Sequence, residues 1–226
     1  LGDVYKRQVF TMDKILLGDV FIRGGSSSGT HVLEEGRPIG QFYGLVCNGI
    51  DENGRYILVD KDGDGEISDP ADYDYIGSAQ PKLTYGITNS FRYKNFDLSF
   101  FLRGTIGNDI LNATRMAYAQ SGFLPGTNAL DDPLTYTLSE TPRFSNYYLE
   151  KGSFMRLDNL TLGYKIKALN GIRVYFTAQN LFVITKYKGL DPEVPMDSGD
   201  GLTPGVEPRE FYPKARTFSV GLNLNF

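Results

Sequence analysis

The chain has 226 residues, 41% hydrophobic and 13% aromatic, with 26 glycines, a net charge of -4 and a pI near 5.1. That length holds one sizeable domain or a piece of a larger one, and the acidic balance speaks against a nucleic-acid partner. One Cys and one His exclude a disulfide within the chain and a two-histidine metal site, and the lack of any apolar run near the ~18 residues of a membrane helix excludes a helical membrane span.

Residues 1–8 start without Met or a charged-then-apolar leader, and DVYKRQ resembles the translated end of a sequencing adapter. They are expected to be non-native, leaving 9–226 as the folding unit. Residues 9–35 suggest the tail of a strand and a turn. His31 lies in the turn-rich GGSSSGTHVLEEG and is expected to be a solvated loop residue. Cys47 is expected to be small and buried, or lipid-facing.

DKDGDGEI (60–67) matches the first half of an EF-hand calcium loop. Alternate carboxylates at Asp60, Asp62 and Asp64 can converge on one hard cation, and Gly65 permits the turn. Position twelve, where a bidentate Glu belongs, is Ala71, which leaves Asp69, Asp72 or Asp74 to supply a substitute ligand. Asp69 is carried forward with the other three. The expectation is a calcium ion that stiffens the loop; the alternative is an acidic loop without metal.

From Leu83 onward the pattern has period two, the mark of strands with one apolar and one polar side. Leu83, Tyr85, Ile87 and Phe91 alternate with Thr84, Gly86, Thr88 and Ser90, and Phe96, Leu98, Phe100 and Leu102 with Asp97, Ser99, Phe101 and Arg103. FMRLDN (154–159) breaks phase, which predicts a bulge or an upper, non-membrane part of the strand. Leu160, Leu162, Tyr164 and Ile166 then alternate with Thr161, Gly163 and Lys165. Ile172, Val174, Phe176 and Ala178 alternate with Arg173, Tyr175, Thr177 and Gln179. The chain closes on RTFSVGLNLNF, with Phe218, Val220, Leu222, Leu224 and Phe226 on one side.

These runs exceed the ~5–6 residues of a globular strand and suit the ~9–11 residues of a tilted membrane strand. Tight links at 92–95 and 167–171 alternate with long connections at about 48–81, 105–153 and 183–215, expected to be structureless. Short turns on one side and long loops on the other are the pattern of a bacterial outer-membrane barrel. A soluble barrel would alternate too; strand length, loop asymmetry and the terminal aromatic favour the membrane. The expected fold is all-β, an antiparallel transmembrane β-barrel that is partial.

EGRPIGQFYGLVCNGI (35–50), the long run from DKDGDG to ILNATR (60–115), YYLEKGSFMRLDNLTLGY (147–164), VYFTAQNLFVITKYKGLDPEV (174–194) and FSVGLNLNF (218–226) resemble the C-terminal barrel of SusC/RagA-like TonB-dependent transporters. The resemblance implies the last strands, about six to eight, of a barrel of roughly 22 strands whose plug is absent from this chain. It implies import of oligosaccharides or peptides across the bacterial outer membrane. The implied partners are a SusD-like surface lipoprotein, the TonB complex acting through the missing plug, the barrel assembly machinery and outer-membrane lipid.

On that reading Arg103, Lys165, Arg173, Tyr175 and Gln179 face the lumen, where they meet substrate or line a wet wall. Tyr147, Tyr148 and Tyr187 are expected in an interfacial aromatic girdle. Phe218, Val220, Leu222, Leu224 and Phe226 form the signal read by the assembly machinery. No nucleophile elbow or phosphate loop is present, so no enzyme is expected and no cofactor is required beyond the loop calcium. The alternative function is a soluble, calcium-stabilised β-domain that binds carbohydrate.

Overall fold

The computed structural model describes residues 14–20, 29–122, 124–126, 128–166, 172–194, 201–207 and 212–224. Residues 1–13, and with them the suspected adapter sequence, lie outside this set, as do the 167–171 link and Phe226. Six short strands come first: β1 (Ile15–Leu17), β2 (His31–Leu33), β3 (Gln41–Leu45), β4 (Cys47–Ile50), β5 (Tyr56–Leu58) and β6 (Tyr73–Ser78). Two long ones follow, β7 (Leu83–Tyr93) and β8 (Phe96–Ile106). The next connection holds β9 (Asp109–Leu111), helices α1 (Ala113–Tyr118) and α2 (Pro133–Thr137), and β10 (Leu149–Lys151). The chain then runs through β11 (Phe154–Ile166), β12 (Ile172–Thr185) and β13 (Thr217–Asn223).

The alternating stretches of the sequence become one antiparallel sheet in the order β13-β12-β11-β8-β7, each strand beside the next of the set in chain order. Tyr93 pairs with Phe96, so β7 and β8 are joined by a two-residue turn in which Lys94 takes a positive φ of 53°. The expected six to eight barrel strands reduce to five in this sheet among the described residues. The other strands are too short to span a bilayer and pair separately, as β1-β2-β3-β6, β9-β10 and β4-β5.

Residues directly opposite on neighbouring strands share a face. One apolar row runs Tyr93, Phe96, Tyr164, Val174, Leu222, and the next Phe91, Leu98, Leu162, Phe176, Val220. The polar row between them runs Arg92, Asp97, Gly163, Tyr175, Gly221. The register slips between Leu157 and Asn159 against both neighbours of β11. That slip is the predicted bulge, and it explains the broken phase of FMRLDN. A bulge re-aims the strand while the polar pattern resumes on the same face beyond it.

The apolar side of this sheet is bare: Phe91, Phe96, Leu162, Phe176, Phe218, Val220 and Leu222 are all exposed. The buried core lies elsewhere, in the segments that precede and connect the strands. Phe42, Cys47, Tyr56, Leu111, Met116, Leu134, Phe144 and Tyr148 pack into one cluster drawn from four stretches of chain. The long connections are therefore not structureless. They carry small sheets and two capped helices: the Asn112 side chain accepts from the Arg115 N–H, and Asp132 from that of Leu134.

Two expectations change with this core and one holds. His31 is fully buried: Nε2 lies 2.9 Å from the Pro204 carbonyl, Nδ1 2.9 Å from Thr30 Oγ1, and the ring packs on Phe42. A partner 173 residues away made that burial invisible in the local sequence. Tyr148 and Tyr187 are buried in two separate clusters rather than set in a membrane girdle, and Tyr147 packs against the cluster that holds Tyr148. Cys47 is buried as expected and donates to the Gly49 carbonyl; burial pushes its thiol up.

Candidate functional site

The polar face of the sheet is the first candidate. A row of hydroxyls crosses all five strands: Ser90, Ser99, Thr161, Thr177 and Ser219. Thr161 and Thr177 bring their oxygens within 3.1 Å of each other. The next row, Thr88, Phe101, Asn159, Gln179, Thr217, adds two amides. Gln179 is exposed. This middle zone is neutral, with hydroxyls and amides that both donate and accept hydrogen bonds.

Charge gathers at the two ends of that face. At the long-connection end, Arg103 and Arg156 are paired across β8 and β11. The segment after β12 comes down on them. Glu193 takes both Nη atoms of Arg103, whose Nη2 also lies 3.2 Å from Asp158, and Lys214 binds the same glutamate. Arg156 Nη2 lies 2.5 Å from Asp191, and its Nη1 donates to Asn180. Asn180 in turn donates to the Lys214 carbonyl at 2.7 Å from a left-handed backbone position, φ 51°, which asparagine tolerates. Arg103 therefore lies on the polar face of the sheet, and its charge is matched within the chain. Beneath this strap a mostly apolar cavity of about 270 Å³ is lined by Tyr85, Ile110, Phe154, Pro192 and Val194, too small for more than a few side chains.

At the short-turn end, Arg173 grips Asp97 with two hydrogen bonds, Nε–Oδ1 2.9 Å and Nη2–Oδ2 2.5 Å. The pair lies over Gly163, where a Cβ would overlap both groups. Tyr175 lies over Gly221 in the same way, and the Arg173 guanidinium sits 5.1 Å from its ring. Lys165 pairs with Arg173 across the strands and is exposed. Pairing thus sets Arg103, Lys165, Arg173, Tyr175 and Gln179 on one face, spread along it rather than gathered at a point.

The acidic loop is the second candidate. Oxygens of Asp60, Asp62 and Asp72 lie within 4.8 Å of one another. Asp60 and Asp62 are two of the four expected ligands. The others are engaged elsewhere: Asp64 accepts from the Glu66 N–H at 2.8 Å, and Asp69 pairs with Arg143 at 2.6 Å. Asp72 is buried and accepts from the amides of Ser68 and Lys61, which hold its carboxyl below the usual range. Asp62 is pushed up: the Asp64 amide opposes this, but desolvation and the charges of Asp64, Asp72 and Asp60 outweigh it. Three carboxylates with mutual repulsion are a donor set suited to a hard divalent cation.

Sequence reasoning missed Arg156, Asp191 and Glu193. Arg156 stood in the phase-broken stretch, and the two acids in a connection treated as shapeless. The only local signal was an arginine inside an otherwise apolar strand start. Of the residues named for assembly, Phe218, Val220, Leu222 and Leu224 are all exposed, the first three in rows of the apolar face.

No family model matches the chain. It is 36% identical to TonB-dependent receptor SusC of Bacteroides thetaiotaomicron over 92% of its own length and 21% of that protein. It is 34% identical to TonB-dependent receptor P3 of Formosa agariphila, over 87% of its length and 23% of that one. Among solved structures, the RagAB peptide importer in its closed-closed state superposes with a TM-score of 0.69 at 24% identity, covering 94% of this chain and 25% of that one. The open-open state gives 0.66 over 96% and 24%. The chain spans less than a quarter of the length of the curated relatives it matches.

Proposed function

The chain belongs to the SusC/RagA-like TonB-dependent transporters, and from that premise we propose that it forms the C-terminal wall of an outer-membrane importer of oligosaccharides or peptides. The observation that carries this reading is the inverted placement of apolar surface. A sheet with one bare apolar face and one hydroxyl-lined face stands beneath a cap that holds the buried core. A water-soluble sandwich would bury that apolar face. In a membrane barrel it meets lipid and the polar face meets the lumen.

In this reading the hydroxyl and amide rows supply exchangeable hydrogen bonds along the passage, and the strap carrying Asp191 and Glu193 fixes the cap to the wall. Energy comes from the TonB complex acting on a plug outside this chain. A SusD-like lipoprotein covers the outer side, and barrel assembly machinery inserts the strands. The expected location is the bacterial outer membrane. The acidic loop holds calcium through Asp60, Asp62 and Asp72, which ties the chain around it and stiffens one edge of the cap.

The test is uptake in the source cell. Deleting the gene for the full-length protein, and separately removing TonB, abolishes uptake of a labelled oligosaccharide or peptide taken from the panel that the wild type imports. Unchanged uptake in both strains contradicts the proposal. The soluble carbohydrate-binding alternative predicts instead a protein that stays in solution without detergent.

A further inference from the structure

We propose that the short-turn end of the polar face is a docking site for an acidic peptide segment approaching from inside the wall. A hollow of about 540 Å³ opens there, lined by Arg92, Lys94, Asp97, Lys165, Arg173 and Asn223. Four cations surround one carboxylate, which takes two hydrogen bonds from Arg173. Among the described residues, Arg92, Lys94 and Lys165 lie within salt-bridge distance of no acidic side chain. This surplus stands in a chain whose net charge is -4, so it is a local arrangement and not the average of the surface.

The hollow is also built at a cost. Lys165 and Arg173 are directly opposite on paired strands, an arrangement of like charges that weakens a sheet. Gly163 and Gly221 keep the floor clear, so that the Arg173–Asp97 pair and Tyr175 lie flat on it. Arg173 is thereby fixed on three sides, while Arg92, Lys94 and Lys165 are exposed in this chain, Lys94 with its Nζ 5.3 Å from the Tyr93 ring.

Geometry selects the guest. Arg92 and Arg173 are three strands apart, about 14 Å at the usual strand spacing of about 4.8 Å. That span suits several carboxylates along one segment better than a single phosphate. Tyr93, Phe96 and Tyr164 occupy the same level on the opposite, apolar face. They mark the membrane interface there, so the hollow opens on the aqueous side of the wall and away from lipid headgroups. The inference rests on the polar face being the inner one.

The experiment uses the full-length receptor in detergent and a fluorescein-labelled peptide of alternating Glu and Gly, followed by anisotropy at low salt. The triple variant Arg92→Gln, Lys94→Gln, Lys165→Gln is expected to lose about tenfold in affinity, and added salt to weaken the parent, as for exposed charges. The charge-keeping set Arg92→Lys, Lys94→Arg, Lys165→Arg and the control Arg55→Gln at the cap keep it. Equal binding by the triple variant overturns the proposal. So does displacement of the peptide from the parent by inorganic phosphate or phosphatidylglycerol vesicles as readily as by unlabelled peptide. Heat-modifiable gel mobility reports separately whether each variant forms a barrel, so a failed barrel is not mistaken for a failed site.

Discussion

Arg156 on β11 and Asp191, in the connection that follows β12, meet with Nη2 2.5 Å from Oδ1, and neither side chain keeps more than 5% of its exposure. The pair ties the cap to the wall through a contact withdrawn from water. Removing one partner of such a pair strands the other charge, typically at about 3–5 kcal/mol, whereas replacing both with apolar groups is often neutral. Glu193 Oε2 stays 3.6 Å from Arg156 Nε and leaves that charge partly matched, so Asp191→Ala in the full-length protein is expected to lower stability by about 3 kcal/mol, the low end of that range. Arg156→Met with Asp191→Leu recovers most of the loss. Urea unfolding midpoints of the three proteins check this, and a double variant no better than the single one argues against it.

Gly163 makes a second, independent prediction at the other end of the same face. A branched side chain there displaces the Arg173–Asp97 pair, so Gly163→Val is expected to cost about 1–3 kcal/mol, the usual range for overpacking. Gly122 has open space around its Cα, and Gly122→Val serves as the near-neutral comparison. The same unfolding measurement reads both.

Calcium binding is tested at Asp72. If Asp60, Asp62 and Asp72 hold the ion, Asp72→Asn removes one of three negative donors and calcium affinity falls by at least about tenfold. Asp69→Asn, which touches the Arg143 pair instead, leaves it nearly unchanged. Isothermal titration of calcium into the full-length protein decides. No heat above a chelator control in the parent leaves an acidic loop without metal.

The cap should also be acid-sensitive in a defined direction. Asp72 is held down by the amides of Ser68 and Lys61. For Asp132, burial pushes upward, but hydrogen bonds from Arg115 and the Leu134 amide win and lower it. A carboxyl whose folded value is depressed contributes stability that is complete above its unfolded value, about 4, and lost as pH falls through the lower folded value. Protease cleavage within 112–135 is therefore expected to be slow at neutral pH and to rise below about pH 4, whereas in 60–72 the raised carboxyl of Asp62 works in the opposite direction and blunts the response. An acid-active protease finding the same rate at all pH values contradicts this.

The five long strands were legible because a half-buried sheet writes its two faces into the chain at period two, and even the bulge at Leu157 left its mark as a broken phase. The face assignment of Arg103, Lys165, Arg173, Tyr175 and Gln179 followed from the same rule. The cap was not legible. Its order comes from partners far apart in sequence, such as His31 with Pro204, or Tyr56 with Tyr148, whose hydroxyls lie 2.5 Å apart and whose burial pushes the Tyr56 phenol up to about 12. Composition marks such stretches as loops, and nothing local says that four of them share a core. The acidic cluster was partly legible: its spacing pointed to Asp60 and Asp62, and Asp72 stood among three alternatives that only the fold around the loop separates.

Leu162 and Thr161 are neighbours in β11 on opposite faces of the sheet, and they test the central claim most directly. Leu162 is 46% exposed, so in a soluble domain Leu162→Arg would change stability little. Facing lipid, it is expected to cost about 2–4 kcal/mol and to reduce folded barrel in the outer membrane, while Thr161→Arg on the polar face stays near wild type. The measurement is the folding free energy of both full-length variants into lipid vesicles. A large loss for Leu162→Arg with little for Thr161→Arg is the predicted result. Equal values for the two, or a larger loss at Thr161, would contradict the membrane wall.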